Sequence, residues 1–336
     1  MPPKPGVIPL GPLRLGDIFN GAFSTLGRYG KQLFAVGAAL YGGALVVVGV
    51  AVAVAYSAVS DHLDRLFELE EGESAASGDV VPVIVAFGAV ALAGILAMVI
   101  ASAVVYAAVP AVLQEAVLGR PTTFSAVWRR AWARTPAVVG TVLLAGLITM
   151  VPIALAVAAL TGGIIAAVAT DGSGGAVALI VVGAVCFLAF VPLALWLGVR
   201  LTLAPSAAVF ENQGPVASIR RSAQLVRGDW WRICGMTLLA GVISAAASYI
   251  IQLPFSLLGV FTGALGGAAF DENTHPAAIL TLLGGYLVVG VLGQLVSQLI
   301  VAVFPPLVTG LLYVDRRIRT EDLGPVLAEA AAVPPR

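Results

Sequence analysis

Residues 80–114 read VVPVIVAFGAVALAGILAMVIASAVVYAAVPAVLQ, with no Asp, Glu, Lys or Arg anywhere in the stretch. About 20 apolar residues suffice to cross the hydrocarbon of a bilayer, so this run is a spanning helix with length to spare. Five further runs are equally free of charge: 32–60, 135–170, 172–199, 233–270 and 273–314. The composition agrees. The chain is 60% hydrophobic and 11% charged, with a mean hydropathy of +1.01, whereas soluble domains carry about 25% charged residues. The fold class that follows is all-α, a polytopic membrane protein with six transmembrane helices. The first apolar run is long and follows a mixed, Pro-rich segment, so it reads as an uncleaved anchor rather than a signal peptide.

The net charge of zero hides a segregation by sign. The segments joining odd spans to even ones hold Asp61, Asp64, Glu68, Glu70, Glu71, Glu73, Asp79, Asp171, Asp271 and Glu272 against one base, Arg65. The opposite side holds the other 17 of the 18 bases. Short loops rich in Lys and Arg stay in the cytoplasm. The expectation is therefore a bacterial plasma-membrane protein with both termini cytoplasmic.

Ahead of spans one, three and five lie segments with helical amphipathic spacing. In the first, Leu15, Ile18, Phe19, Ala22 and Leu26 share a face; in the second, Phe124, Val127, Trp128, Ala131 and Trp132 do; in the third, Val216, Ile219, Ala223, Val226 and Trp230 do. Each predicts a cytoplasmic interfacial helix lying in the headgroup layer. The segment from Val142 to Ile148 recurs from Thr237 to Ile243, and Pro110 and Pro205 each precede a Gly by nine residues, at Gly119 and Gly214. These matches predict a three-fold tandem repeat of amphipathic helix plus hairpin, with units at about 12–118, 119–213 and 214–318 and a cytoplasmic tail at 319–336. The second limb of each hairpin is long and carries a proline, so its last third is expected to leave the hydrocarbon.

The segments Arg200-Leu-Thr-Leu-Ala-Pro205, Glu211-Asn-Gln-Gly-Pro215, Ser218-Ile-Arg-Arg-Ser-Ala-Gln-Leu-Val-Arg-Gly228 and Asp229-Trp-Trp-Arg232, with residues 8–23, resemble actinobacterial membrane proteins of the glycerophosphoryl diester phosphodiesterase membrane domain family. That resemblance implies a membrane region found elsewhere beside a catalytic barrel. The stretch after Asp315 is far shorter than the roughly 250 residues of such a barrel. The enzyme activity is therefore not expected here.

Candidate contact residues are all arginines. Arg200 interrupts an apolar stretch, where it either snorkels to the interface or faces inward, binding lipid phosphate or pairing with Glu211, Gln294 or Gln298. Arg220, Arg221, Arg227 and Arg232, with Arg129, Arg130 and Arg134, either form a surface for lipid headgroups or a protein partner or simply signal topology. The His–carboxylate groups, at Asp61, His62, Asp64 and Glu68 and at Asp271, Glu272 and His275, lack metal-site spacing and read as solvated loops. Cys186 and Cys234 lie at different depths, so no disulfide is expected. No phosphate loop or nucleophile elbow occurs, and Ala35, Ala39 and Gly43 form only a small-residue stripe. The expected role is a non-catalytic scaffold or accessory subunit with a basic cytoplasmic docking surface. Its partners would be membrane lipids and a membrane or cytoplasmic protein, with no cofactor and no nucleic acid. The alternative is a lipid-handling protein or transporter, for which Gln252, Gln294, Ser297 and Gln298 are the candidate polar residues.

Overall fold

In the computed structural model, which describes residues 5–67, 76–169, 174–269 and 276–332, the chain is helical throughout, without strands among the described residues. The long helices are α1 (Leu15–Phe67), α2 (Ser77–Val117), α3 (Phe124–Ala169), α4 (Gly174–Leu201), α7 (Trp230–Ala269) and α8 (Pro276–Glu321). Short helices α5 (Ala204–Phe210), α6 (Pro215–Leu225) and α9 (Leu323–Ala332) complete the fold. The six long helices are each long and apolar enough to cross a membrane.

Sequence signals at the helix ends explain the breaks. Asp17 reaches back to accept from the Arg14 N–H at 2.8 Å, half of a capping box. At the end of α2, Gly119 takes a left-handed conformation (φ +73°), its N–H donating to Ala116 O and that of Arg120 to Glu115 O. That is the Schellman pattern, which glycine adopts without steric cost. Gly228, at φ +91°, turns the chain from α6 into α7.

The long helices pair as three hairpins, α1 with α2, α3 with α4 and α7 with α8. In the first, Tyr41 meets Ser102 while Val48 meets Gly94, which fixes the antiparallel sense. In the second, the backbones touch: a Cβ at Gly163 would sit 2.7 Å from Leu179 O, and one at Gly183 would sit 2.7 Å from Ala159 O. In the third, Ser248 and Ser297 each donate to the other's carbonyl, at 3.2 and 3.3 Å.

Burial is concentrated at the end of the bundle that carries the termini and the arginines. The buried apolar residues of 101–117 in α2 and 302–318 in α8, Ile18, Phe19, Ala22, Leu33 and Val36 of α1, Leu203 just before α5 and Ala207 within it form one core. The N-terminal segment packs into it through Val7, Ile8, Leu10 and Leu13. Beyond this core the apolar side chains face outward, from Val81 to Ile100 on α2 and from Val177 to Trp196 on α4. Each belt is about 30 Å tall at about 1.5 Å per residue, the thickness of a bilayer's hydrocarbon. Water would not leave such a belt uncovered.

The structure alters three expectations. The amphipathic segments at 15–28 and 124–134 are the first turns of α1 and α3, continuous with their spans, and only the third is a separate helix, α6. On α1 the predicted apolar face packs against protein through Ile18, Phe19 and Ala22, because α8 and the N-terminal segment lie over it. On α6 the buried residues are Ser218, Ser222 and Leu225, while Val216 is 61% exposed. The prolines also differ in effect. Pro110, Pro305 and Pro306 lie inside continuous helices, whereas α4 stops at Leu201 and Pro205 opens α5. The expected tail is helical on either side of Asp322, as the end of α8 and as α9, and Leu323 and Leu327 of α9 pack on the core.

The close α3–α4 contact gives a selective prediction. Gly183→Val forces two backbones apart and should lower the thermal midpoint in detergent by several degrees. Gly146→Ala, where nothing lies within 4 Å of the new methyl, should leave it unchanged.

Candidate functional site: the polar end of the bundle

The end of α8, from Tyr313 to Glu321, is the spine of a polar network that joins both ends of the chain. Asp315 is fully buried. Its carboxylate accepts from the Leu13 N–H at 2.8 Å, from Arg232 Nη1 at 2.7 Å and from Arg319 Nε at 3.0 and 3.1 Å. The two arginines then donate to Leu13 O, at 2.8 and 2.7 Å. One backbone residue of the N-terminal segment is thus held on both its polar groups by α7 and α8. A buried carboxylate is tolerable only with such compensation.

A second cluster surrounds Glu211, just after α5. It accepts from Arg221 Nε at 2.9 Å, from Gln213 at 2.8 Å and from the Tyr313 hydroxyl. Arg221 also donates to Glu321, which in turn accepts from Arg317 at 2.8 Å. Burial pulls the Arg221 guanidinium down, but hydrogen bonds to Glu211 and Glu321 override it and hold its pKa above the ordinary arginine value. It therefore stays charged as a strut between α6 and α8. In a third cluster Arg316 closes the end of α6, donating to Leu225 O at 2.8 Å, Arg227 O at 3.2 Å and the Asp229 carboxylate. Those carbonyls lie at a helix end that lacks intrahelical donors.

The eight arginines singled out in the sequence therefore divide. Arg221 and Arg232 are internal struts, and Arg130 pairs with Glu115 at 2.8 Å. Arg129, Arg220 and Arg227 are exposed, and their side chains have no carboxylate partner among the described residues. Arg134 is half-buried, likewise without one. Exposed aromatics occur on the same elements, Trp132 on α3 and Trp231 at 82% exposure on α7. Arg200 reaches neither Glu211 nor the glutamines of α8. Its guanidinium lies 4.5 Å from the Trp196 ring centre, one turn back along α4, and its carbonyl accepts from Ser222 at 2.7 Å. Cation–π contact of this kind holds an arginine at an apolar edge.

At the opposite end His62 Nδ1 and Arg65 Nη1 both lie 2.8 Å from Asp79 Oδ1. Glu68, Asp271, Glu272 and His275 fall outside the described residues. Cys186 and Cys234 are unpaired. No set of three metal-ligating side chains comes together among the described residues.

Sequence reasoning passed over Asp315 and Arg316, and weighed Glu211 only as a partner for Arg200. A usable signal was present: Asp315 is an acid in a basic run, four residues before Arg319, and Arg317 stands four before Glu321, both at the helical pairing distance.

The network has a measurable consequence. Asp315→Ala leaves Arg232, Arg319 and the Leu13 N–H without their acceptor, and should destabilise the protein by about 3–5 kcal/mol. Limited proteolysis should then cut the N-terminal segment of the variant and spare that of the parent, where Val7, Ile8, Leu10 and Leu13 are buried. Arg220→Ala, at an exposed position, should leave the cleavage pattern unaltered.

Comparison with known proteins adds the family. No curated protein and no solved structure matches the chain. Residues 13–314 match the family described as Domain of unknown function (DUF7847), and that match carries no link to the glycerophosphoryl diester phosphodiesterase membrane domain expected from the sequence. The match runs from the residue gripped by Asp315 to the residue before Asp315 itself, and with nearly the whole chain inside it this protein belongs to the DUF7847 family.

Proposed function

We propose that this chain is a non-catalytic membrane scaffold or accessory subunit whose basic end is a cytoplasmic docking surface for an acidic partner. One observation carries the reading: Arg129, Arg220 and Arg227 stay exposed and unmatched by carboxylates among the described residues, although the same end contains several acids. Glu115, Glu211, Asp229, Asp315 and Glu321 are all engaged with other arginines. The surplus positive charge is therefore carried outward by a framework that is itself locked. Basic loops remain on the cytoplasmic side of bacterial membranes, which supports a plasma-membrane location with both termini inside.

Finer features belong to the same proposal. The three hairpins support a tandem repeat with units at about 12–118, 119–213 and 214–318. The helical lead-in to each first limb supports a common ancestry for the amphipathic segments, with α6 as the one that lies apart from its span. Resemblance of residues 200–232 to phosphodiesterase membrane domains supports a membrane part that serves another activity rather than performing one.

Lipid handling is the second reading, favoured by an open groove of about 390 Å³ between α3, α4 and α7, lined by Thr149, Ile153, Val191, Leu195, Val199 and Thr237. Its apolar walls suit an acyl chain.

Purification in mild detergent followed by mass spectrometry of bound proteins and lipids separates the two. A stoichiometric protein supports the scaffold, and a specific retained lipid supports the second reading. Replacing Arg129, Arg220 and Arg227 together by Ala should weaken partner association by about 100-fold at low salt, at about 1 kcal/mol per residue, with membrane insertion unchanged. Unchanged co-purification would overturn the docking surface.

A further inference from the structure

The α8 helix carries three polar side chains through the apolar belt, Gln294, Ser297 and Gln298, and they face different ways. Ser297 is buried against α7, with its Oγ 3.3 Å from Ser248 O and 3.1 Å from Gln252 Oε1. Gly293 is on that side too, since a Cβ there would press on the Phe255 ring at 2.7 Å. Leu299 faces α1, where it fills the space above Gly37. Gln294 and Gln298, one turn apart, point toward neither neighbour. Gln294 is exposed and Gln298 half-buried, and neither has a hydrogen-bond partner among the described residues. Val301, one turn beyond Gln298, is exposed and apolar, while Leu292 and Val296, also exposed, lie on another face of α8.

An amide facing hydrocarbon without a partner is costly, because lipid tails offer neither donor nor acceptor. One turn before Gln294 stands Gly290, and nothing lies within 4 Å of the position its Cβ would take. Gly290, Gln294 and Gln298 thus form a stripe at intervals of four, with a small residue beside the polar ones. Small residues let helix backbones approach, and glutamines then bond across the contact.

We propose that this stripe docks α8 of a second copy of this chain. The amide chemistry favours that occupant. A glutamine side chain both donates and accepts, so its complement is another glutamine. About a two-fold axis Gln294 of each copy meets Gln294 of the other, which satisfies donor and acceptor together, and a two-fold contact of one patch with itself is the commonest assembly. This contact lies within the belt and is independent of the basic end.

The test uses the full chain with Cys186 and Cys234 replaced by Ala, in liposomes at a low protein-to-lipid ratio. Single replacements Gly290→Cys, Gln294→Cys and Gln298→Cys should give disulfide-linked dimers on mild oxidation, and Leu292→Cys, on another face of α8, should not. Energy transfer between differently labelled copies should exceed the random-mixing level. In the variant Gln294→Leu with Gln298→Leu, which keeps an exposed apolar surface, dimerisation should weaken by about threefold or more. Equal cross-linking at 292 and 294, or energy transfer at the random level in the parent, would overturn the proposal. So would rapid reaction of Gln294→Cys with a membrane-impermeant maleimide, which would mark a water-filled path.

Discussion

Everything at the polar end depends on one buried negative charge. Asp315 gathers the Leu13 N–H, Arg232 and Arg319 around a carboxylate with no access to solvent. These groups come from the N-terminal segment, the start of α7 and the end of α8. Remove the charge and two partly exposed guanidiniums are left side by side at Leu13 O without their counter-ion. While it remains, the chain termini and the third hairpin are held as one body, and the packing of Leu10, Leu13 and Leu323 at the edge of the core follows from that closure.

The molecule divides along its length by solvent. At the basic end protein covers protein, with Ala, Val and Leu of α2 and α8 packed to near-zero exposure. Farther along, the same residue types point outward and the hairpins touch mainly within themselves. Hydrocarbon is as apolar as leucine, so no hydrophobic force draws one hairpin to the next within it. Close backbone contact at Gly163 and Gly183, and reciprocal serine bonds at Ser248 and Ser297, hold the hairpin limbs instead.

How much of this was legible in the sequence follows from which forces act locally. The six apolar runs were plain, because a spanning helix must be uncharged along its own length, and the three hairpins follow from their order. Amphipathic spacing around Ile18, Phe19 and Ala22 pointed to a face in the headgroup layer, and these side chains are instead buried against protein. The candidate site was only half legible. Arg220 and Arg221 are adjacent and alike in sequence, yet one faces outward and the other spans Glu211 and Glu321. A basic residue kept for topology and one kept as a strut are the same letter, and the difference lies in carboxylates up to 100 residues away. Arg200 was ambiguous for a related reason, and its guanidinium lies beside the Trp196 ring rather than beside Glu211.

The central claim is that a protein-covered core at the basic end gives way to a lipid-covered belt. Footprinting in proteoliposomes with a lipid-soluble photoactivated carbene, read by peptide mass spectrometry, tests it most directly. Labelling should fall on residues 81–100, 177–196 and 238–261 and spare 101–117 and 307–318. Strong labelling of 101–117 or 307–318 by the lipid probe would contradict it.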